Sequence, residues 1–216
     1  MDGATLQDRI YRGLGTAARA IGVACDAFRP CGPNDPIAPA NRFLRLNAAF
    51  NAQDPHFEKA TPYGAAVWYG VFDAAYTRPG DYLVEQQSGA ASFIAAQQRL
   101  LPVLCVRAPR IVSFERAAAP VLAGVNSYGG VTQATATPLL RHWPASMIAA
   151  GGIERSDALL PADTRLGSFT VLLPAWPGVT LRPADLMTDD IGRTCVVSVA
   201  ELTELGWRLT VRQAAT

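Results

Sequence analysis

Arg78-Pro79-Gly80-Asp81-Tyr82-Leu83-Val84 and Arg182-Pro183-Ala184-Asp185-Leu186-Met187-Thr188 are two versions of one pattern. In each, Pro presets the φ of a turn and Asp caps it, so each reads as a turn feeding a strand. The flanks repeat as well. A loop glycine follows (Gly89, Gly192), then an apolar stretch (Phe93-Ile94, Val196-Val197). Each copy closes on a strand ending in Arg, Leu104-Cys105-Val106-Arg107 and Leu209-Thr210-Val211-Arg212. Asp185 lies 104 residues after Asp81, Gly192 lies 103 after Gly89 and Arg212 lies 105 after Arg107. The strands upstream open at Gly64 and Gly167. Arg-Pro-small-Asp is also ordinary turn chemistry; four features in one order favour duplication. Two antiparallel β units of about fifty residues follow, too small to bury much core singly, which should pack on each other or on partners.

Outward from these motifs the pattern is short apolar runs between Gly, Pro and Asp, as hairpins require. Strands are expected at Ala65–Val71, Tyr82–Glu85, Ser92–Ala96, Val103–Val106 and Ile111–Phe114. A second set is expected at Ser168–Leu173, Val179–Leu181, Thr194–Val199 and Trp207–Val211. At the N-terminus, Leu6, Ile10, Leu14, Ala17, Ala18 and Ile21 recur at helical spacing from Thr5 to about Ala24, with Thr5 and Asp8 resembling a capping box. This narrow, alanine-rich stripe fits a neighbouring subunit or its own chain. Pro30, Pro33, Pro36 and Pro39 then exclude helix and sheet ladders, giving an extended or wrapping arm, with a strand or helical turn at Asn41–Asn51. The expected fold is mainly β: two small antiparallel β-barrel or sandwich units, preceded by an N-terminal helix and a proline-rich arm. The divisions are 1–60 (helix and arm), 61–116 (first unit), 117–165 (linker) and 166–216 (second unit).

Composition agrees. Of 216 residues, 50% are hydrophobic and 17% charged, and 18 Gly with 16 Pro exclude coiled coil and collagen while the apolar content excludes disorder. The net charge of +1 shows no basic excess for phosphate neutralisation, and Lys59 is the single lysine. The charge-free stretch Ala117–Leu140 carries too many polar residues, Gly and Pro for a membrane span. An acidic N-terminus without an apolar run argues against a signal peptide, so a cytoplasmic origin is expected.

Candidate chemistry is sparse. Cys25, Cys31, Cys105 and Cys195 match no common zinc spacing and read as buried or incidental thiols. His56 sits in a polar loop; His142, beside Trp143, reads as a packed or hydrogen-bonded side chain. Asp189-Asp190 with Gly192 is a carboxylate pair or simply a hairpin turn. Glu85 and Asp81 pair with Asp185 for acid–base work only if folding brings them together. Tyr63, Trp68, Tyr69 and Phe72 form an aromatic cluster without interleaved Arg, which reads as core or interface. No catalytic, cofactor-binding or metal-binding residue is assigned.

The stretch from Gly129 (GGVTQATATPLLRHWPASMIAAGG) through Leu160–Gly167 to the C-terminus, with Pro79–Val84 and Leu100–Arg107, resembles structural proteins of the morphogenesis modules of tailed phages and prophages of GC-rich proteobacteria. The C-terminal unit is similar in outline to small β-barrel head-closure and head–tail joining proteins. The resemblance implies a virion protein without cofactors, assembled in the host cytoplasm as a homo-oligomeric ring. Such a ring forms the neck (head–tail connector) or tail tube and binds portal, connector or tail proteins. DNA would pass through its lumen without sequence-specific binding, and no membrane is involved. Residues 1–60 would dock on a neighbour and the β units would form the wall. The alternatives are an exterior decoration or receptor-binding module and a small β-fold hydrolase.

Overall fold

In a computed structural model, residues 2–51, 66–117, 136–150 and 167–214 are described. The order is α1 (Gly3–Ile21), β1 (Val23–Phe28), β2 (Arg42–Asn51), β3 (Val67–Val71), β4 (Tyr82–Glu85), β5 (Ala91–Ala96) and β6 (Val103–Arg107). Then come β7 (Arg110–Arg116), β8 (Thr137–Ala149), β9 (Ser168–Leu173), β10 (Leu186–Asp189), β11 (Thr194–Thr203) and β12 (Gly206–Gln213). The first six strands close into an antiparallel barrel in the order β1-β2-β3-β6-β5-β4, and the last six into another in the order β7-β8-β9-β12-β11-β10. The two orders are the same when each strand is advanced by six. The fold is therefore mainly β, with one N-terminal helix and two β units, as expected.

Several local expectations change. Val23–Phe28 is a strand of the first barrel, inside the span expected as arm, and of the two forms expected at Asn41–Asn51 the strand is the one found, Arg42–Asn51. Thr137–Ala149 is a strand inside the span expected as linker, and Ile111–Phe114 extends to Arg110–Arg116 and opens the second barrel. β8 contains Pro138 and Pro144, but β9 pairs only with its Ser146–Ala149 end, so both prolines sit where that neighbour asks for no N–H. Val179–Leu181 is not a strand; the second copy uses Leu186–Asp189 instead. The helix starts with Asp2 at its N-cap, so Thr5 is not the cap. The proline-rich connection is not simply extended: it bends at 32–33, turns at 36–37 and forms a 3-10 turn at Pro39–Asn41, and it is anchored to its own chain. Asp35 donates to the Arg141 carbonyl (2.8 Å), and the Arg141 N–H and Trp143 Nε1 donate to the Pro33 carbonyl (3.0 and 2.6 Å). Gly64 and, of the expected linker, residues 118–135 and 151–165 lie outside the described residues.

The repeated turn carries the closure of each barrel. Asp81 is 1% exposed and takes both guanidinium arms of Arg29, just past β1, at 2.9 and 2.7 Å. Asp185, also 1% exposed, takes Arg116, the last residue of β7, at 2.7 and 2.9 Å. The same arginines donate to the Tyr76 and Thr180 carbonyls. Each Asp also caps its own turn, accepting from the Arg78 or Arg182 backbone N–H. The turn then bonds across to β5 at Ile94 or β11 at Val197, each next to a register shift in the ladder. The third turn residue has positive φ in both copies: Gly80 at 92° and Ala184 at 72°.

Alternation along the strands of the first barrel explains its continuous apolar runs. Cys25, Ala27, Leu83, Ile94 and Cys105 belong to its own core. Their neighbours Phe28, Tyr82, Phe93 and Val106 form a ladder row that joins the core of the second barrel. There the Tyr82 hydroxyl donates to the Pro144 carbonyl (2.9 Å), and its ring meets Trp143 edge-on at 6.2 Å. Helix α1 packs on β2, β3 and the Ala74–Tyr76 turn, burying Ala18 fully. Leu6 and Ile21 of its apolar stripe stay exposed, because the helix seats on a face centred one position round, at Tyr11, Gly15 and Ala18.

Removing a latch arginine leaves a buried carboxylate with one partner fewer. Since each guanidinium is about one third exposed, Arg29→Ala and Arg116→Ala should each cost about 2 kcal/mol in urea unfolding. Ala184→Gly relieves a left-handed alanine and should stabilise by about 0.5 kcal/mol, whereas Gly80→Ala should destabilise by about 1 kcal/mol.

Candidate functional site

The carboxylates singled out in the sequence are each matched to arginine. Asp189 has a fully buried side chain and accepts from Arg193 Nε (2.8 Å), Arg110 (3.3 Å) and the Arg193 backbone N–H (2.8 Å). Asp190 pairs with Arg110 at 3.2 Å. Burial pushes the Asp189 carboxyl up, but Arg193 and Arg110 outweigh it and hold it below the usual range. The pair is thus a hairpin turn closed by guanidiniums. Glu85 faces Arg107 (2.7 Å) and Ser88 (2.7 Å), while Asp81 and Asp185 stay in separate latches, so no acid–base pair assembles. Among the described residues, no three His, Cys, Asp or Glu side chains gather to hold a metal.

His142 is exposed rather than packed, with φ 55° and its backbone N–H on Ser113 Oγ. His56, Lys59 and Tyr63 lie outside the described residues. Cys25, Cys105 and Cys195 are buried free thiols; Cys31 is exposed and donates to Asn41 Oδ1. Burial pushes Cys25 up to about 11 and Cys105 to about 12, so neither is a nucleophile near neutrality.

Of the aromatic cluster, Phe72 is core and Trp68 is half-buried. Folding supplies the missing arginine. Arg107 stacks over Phe50 and Trp68 (4.9 and 5.1 Å) while it pairs Glu85, sealing one end of the first barrel. Arg193 over Phe169 (4.8 Å), bonded to Asp189, is the counterpart in the second. Arg107 is far in sequence from both rings, whereas Arg193 is four residues from Asp189. The repeated strand-terminal Arg pointed to Arg107 but not to Arg193, and the ladders align Arg212 with Val106 rather than with Arg107.

What remains for recognition is surface. Leu6, Leu100 and Leu101 are exposed near the β5–β6 connection, where the Leu100 N–H bonds Gln7 Oε1 of α1. The equivalent β11–β12 hairpin exposes Val199, Leu202 and Leu205. A shallow groove of about 400 Å³ on β1 and β2 is lined by Asp26, Arg42, Phe43, Leu44 and Arg45. No helix among the described residues is long and apolar enough to cross a membrane. No family model, curated protein or solved structure matches the chain.

Native protein at pH 8 should release one equivalent with a disulfide reagent, from Cys31, and four after denaturation. The depressed carboxyls of Asp189 and Glu85 contribute stability above their unfolded values, near pH 4, which is lost as pH falls through their lower folded values. Unfolding free energy should therefore be flat from neutrality to about pH 5 and fall below about pH 4, less steeply in Arg193→Gln.

Proposed function

We propose that the chain is a structural subunit of a tailed phage particle, a neck or tail-tube protein that assembles as a homo-oligomeric ring around the DNA channel. The observation that carries this reading is the placement of exposed large apolar side chains at the corresponding hairpin ends of two rigid barrels. Leucines held out by a latched scaffold are what a subunit–subunit interface uses. The resemblance of the C-terminal unit to head-closure and head–tail joining proteins supports the same role. The proline-rich connection acts within the chain in this reading, tying barrel to barrel, and α1 is the element left for contact with a neighbour.

An amber mutation in the gene, followed by electron microscopy of the lysate, tests it. DNA-filled or leaking heads separated from tails are the expected result for a neck protein. Heads with absent or shortened tails place it in the tail. Particles intact except for adsorption support an exterior binding module, and normal infectious particles overturn the structural role. Deletion of residues 2–21, which spares every strand, should yield a folded protein that fails to enter particles.

A further inference from the structure

Strand β11 is longer than its counterpart β5: it runs to Thr203, whereas β10 pairs with it only from Thr194 to Val196. On the other side of the hairpin, β9 pairs with β12 along nearly its whole length, from Trp207 to Arg212. From Val199 onward β11 therefore stands beyond β10, and among the described residues no strand pairs with its outer edge there. Its sequence alternates apolar and acidic groups: Val199, Leu202 and Leu205 are 55, 59 and 46% exposed, with Glu201 and Glu204 between them. Arg208 lies 3.9 Å from Glu201 and is two thirds exposed, so Glu201, Glu204 and Arg208 together are net negative. An unprotected edge of this composition is a pairing surface.

The groove on the first barrel has the opposite character. Arg42 and Arg45 are 53 and 59% exposed and share one carboxylate, Asp26, at 3.6 and 2.9 Å, so the groove is net positive. Phe43 lies between them, 39% exposed, with Arg29 over its ring. Over Arg42–Ala48, β2 has β1 as its strand neighbour, and β3 joins only from Ala49. The two arginines are three residues apart on β2, as Glu201 and Glu204 are on the hairpin.

We infer that the β11–β12 hairpin end of one copy docks in the Arg42–Arg45 groove of a second copy, Glu201 and Glu204 meeting the two guanidiniums and Leu202 resting on Phe43. Hairpin and groove lie on different barrels, so the contact is head-to-tail and closes into a ring or continues as a helical filament. The inference rests on the ring reading and names its interface.

Sedimentation velocity on the purified full chain, at low and high salt, tests it. Wild type should self-associate, more weakly in high salt. Glu201→Arg with Glu204→Arg, and Arg42→Glu with Arg45→Glu, should each weaken association by about tenfold or more. Mixing the two reversed variants should restore a one-to-one complex. Because Arg45 supports Asp26, thermal melts check that fold, and Glu201→Gln with Glu204→Gln gives a variant altered only at exposed positions. Association indifferent to both reversals, or no complex on mixing, overturns this contact and leaves the ring reading to the particle experiment. A wild type that stays monomeric at about 100 µM, well above the micromolar range of a specific interface, also overturns it.

Discussion

A carboxylate sealed from water is tolerated only beside a cation and hydrogen-bond donors, and each barrel is organised around one. Asp81 and Asp185 draw together the end of a first strand, a preceding carbonyl, the repeated turn and a shifted ladder on the neighbouring strand. Those are the segments that must meet for β1 to find β4 and for β7 to find β10, which closes the barrel. Closure pairs every strand on both sides, leaving open edge only where a strand outruns its neighbour, and the interior fills with side chains. The latch thus links a local turn preference to global topology.

The two copies keep the latch and differ in what they show outside. The ladder row Phe28–Tyr82–Phe93–Val106 on the first barrel is buried against the second. The corresponding row, Glu115–Leu186–Val196–Arg212, carries charges at both ends. One copy is apolar on both faces and the other on one, the simplest physical account of why two barrels pair and a third is not called for. The register of β8 shifts twice against β7, and His142 adopts positive φ, where the Arg141 backbone meets the arm.

Charge is handled in the same economical way. Asp189 and Glu85 at the barrel ends, and Asp26 on the outer wall, each face arginine. Groups that looked available in the sequence are thereby committed to closing and capping. Chemistry is left to the surface, where exposed leucines and an arginine-rich groove are features of contact.

The duplication, the β class, the helix and Asp81 and Asp185 as turn caps were legible in the sequence, because turn chemistry and strand alternation act over a few residues. The true extent of each unit was not. Strand β8 contains Pro138 and Pro144, whose local preference opposes pairing, and β1 stands just ahead of the proline series that begins at Pro30; β2 and β4, and β7 and β9, make them strands. Arg29 and Arg116 were invisible as latch partners because they stand 52 and 69 residues from their carboxylates. Distance likewise hid Arg107 from Phe50 and Trp68, and the open edge at Glu201–Glu204 follows from where β10 stops pairing, which the hairpin's own residues do not show. Sequence by itself determined the turns, alternation and repeat; tertiary structure decided which charges meet, which apolar face is covered and which is left open, since burial is a property of neighbours rather than of residues.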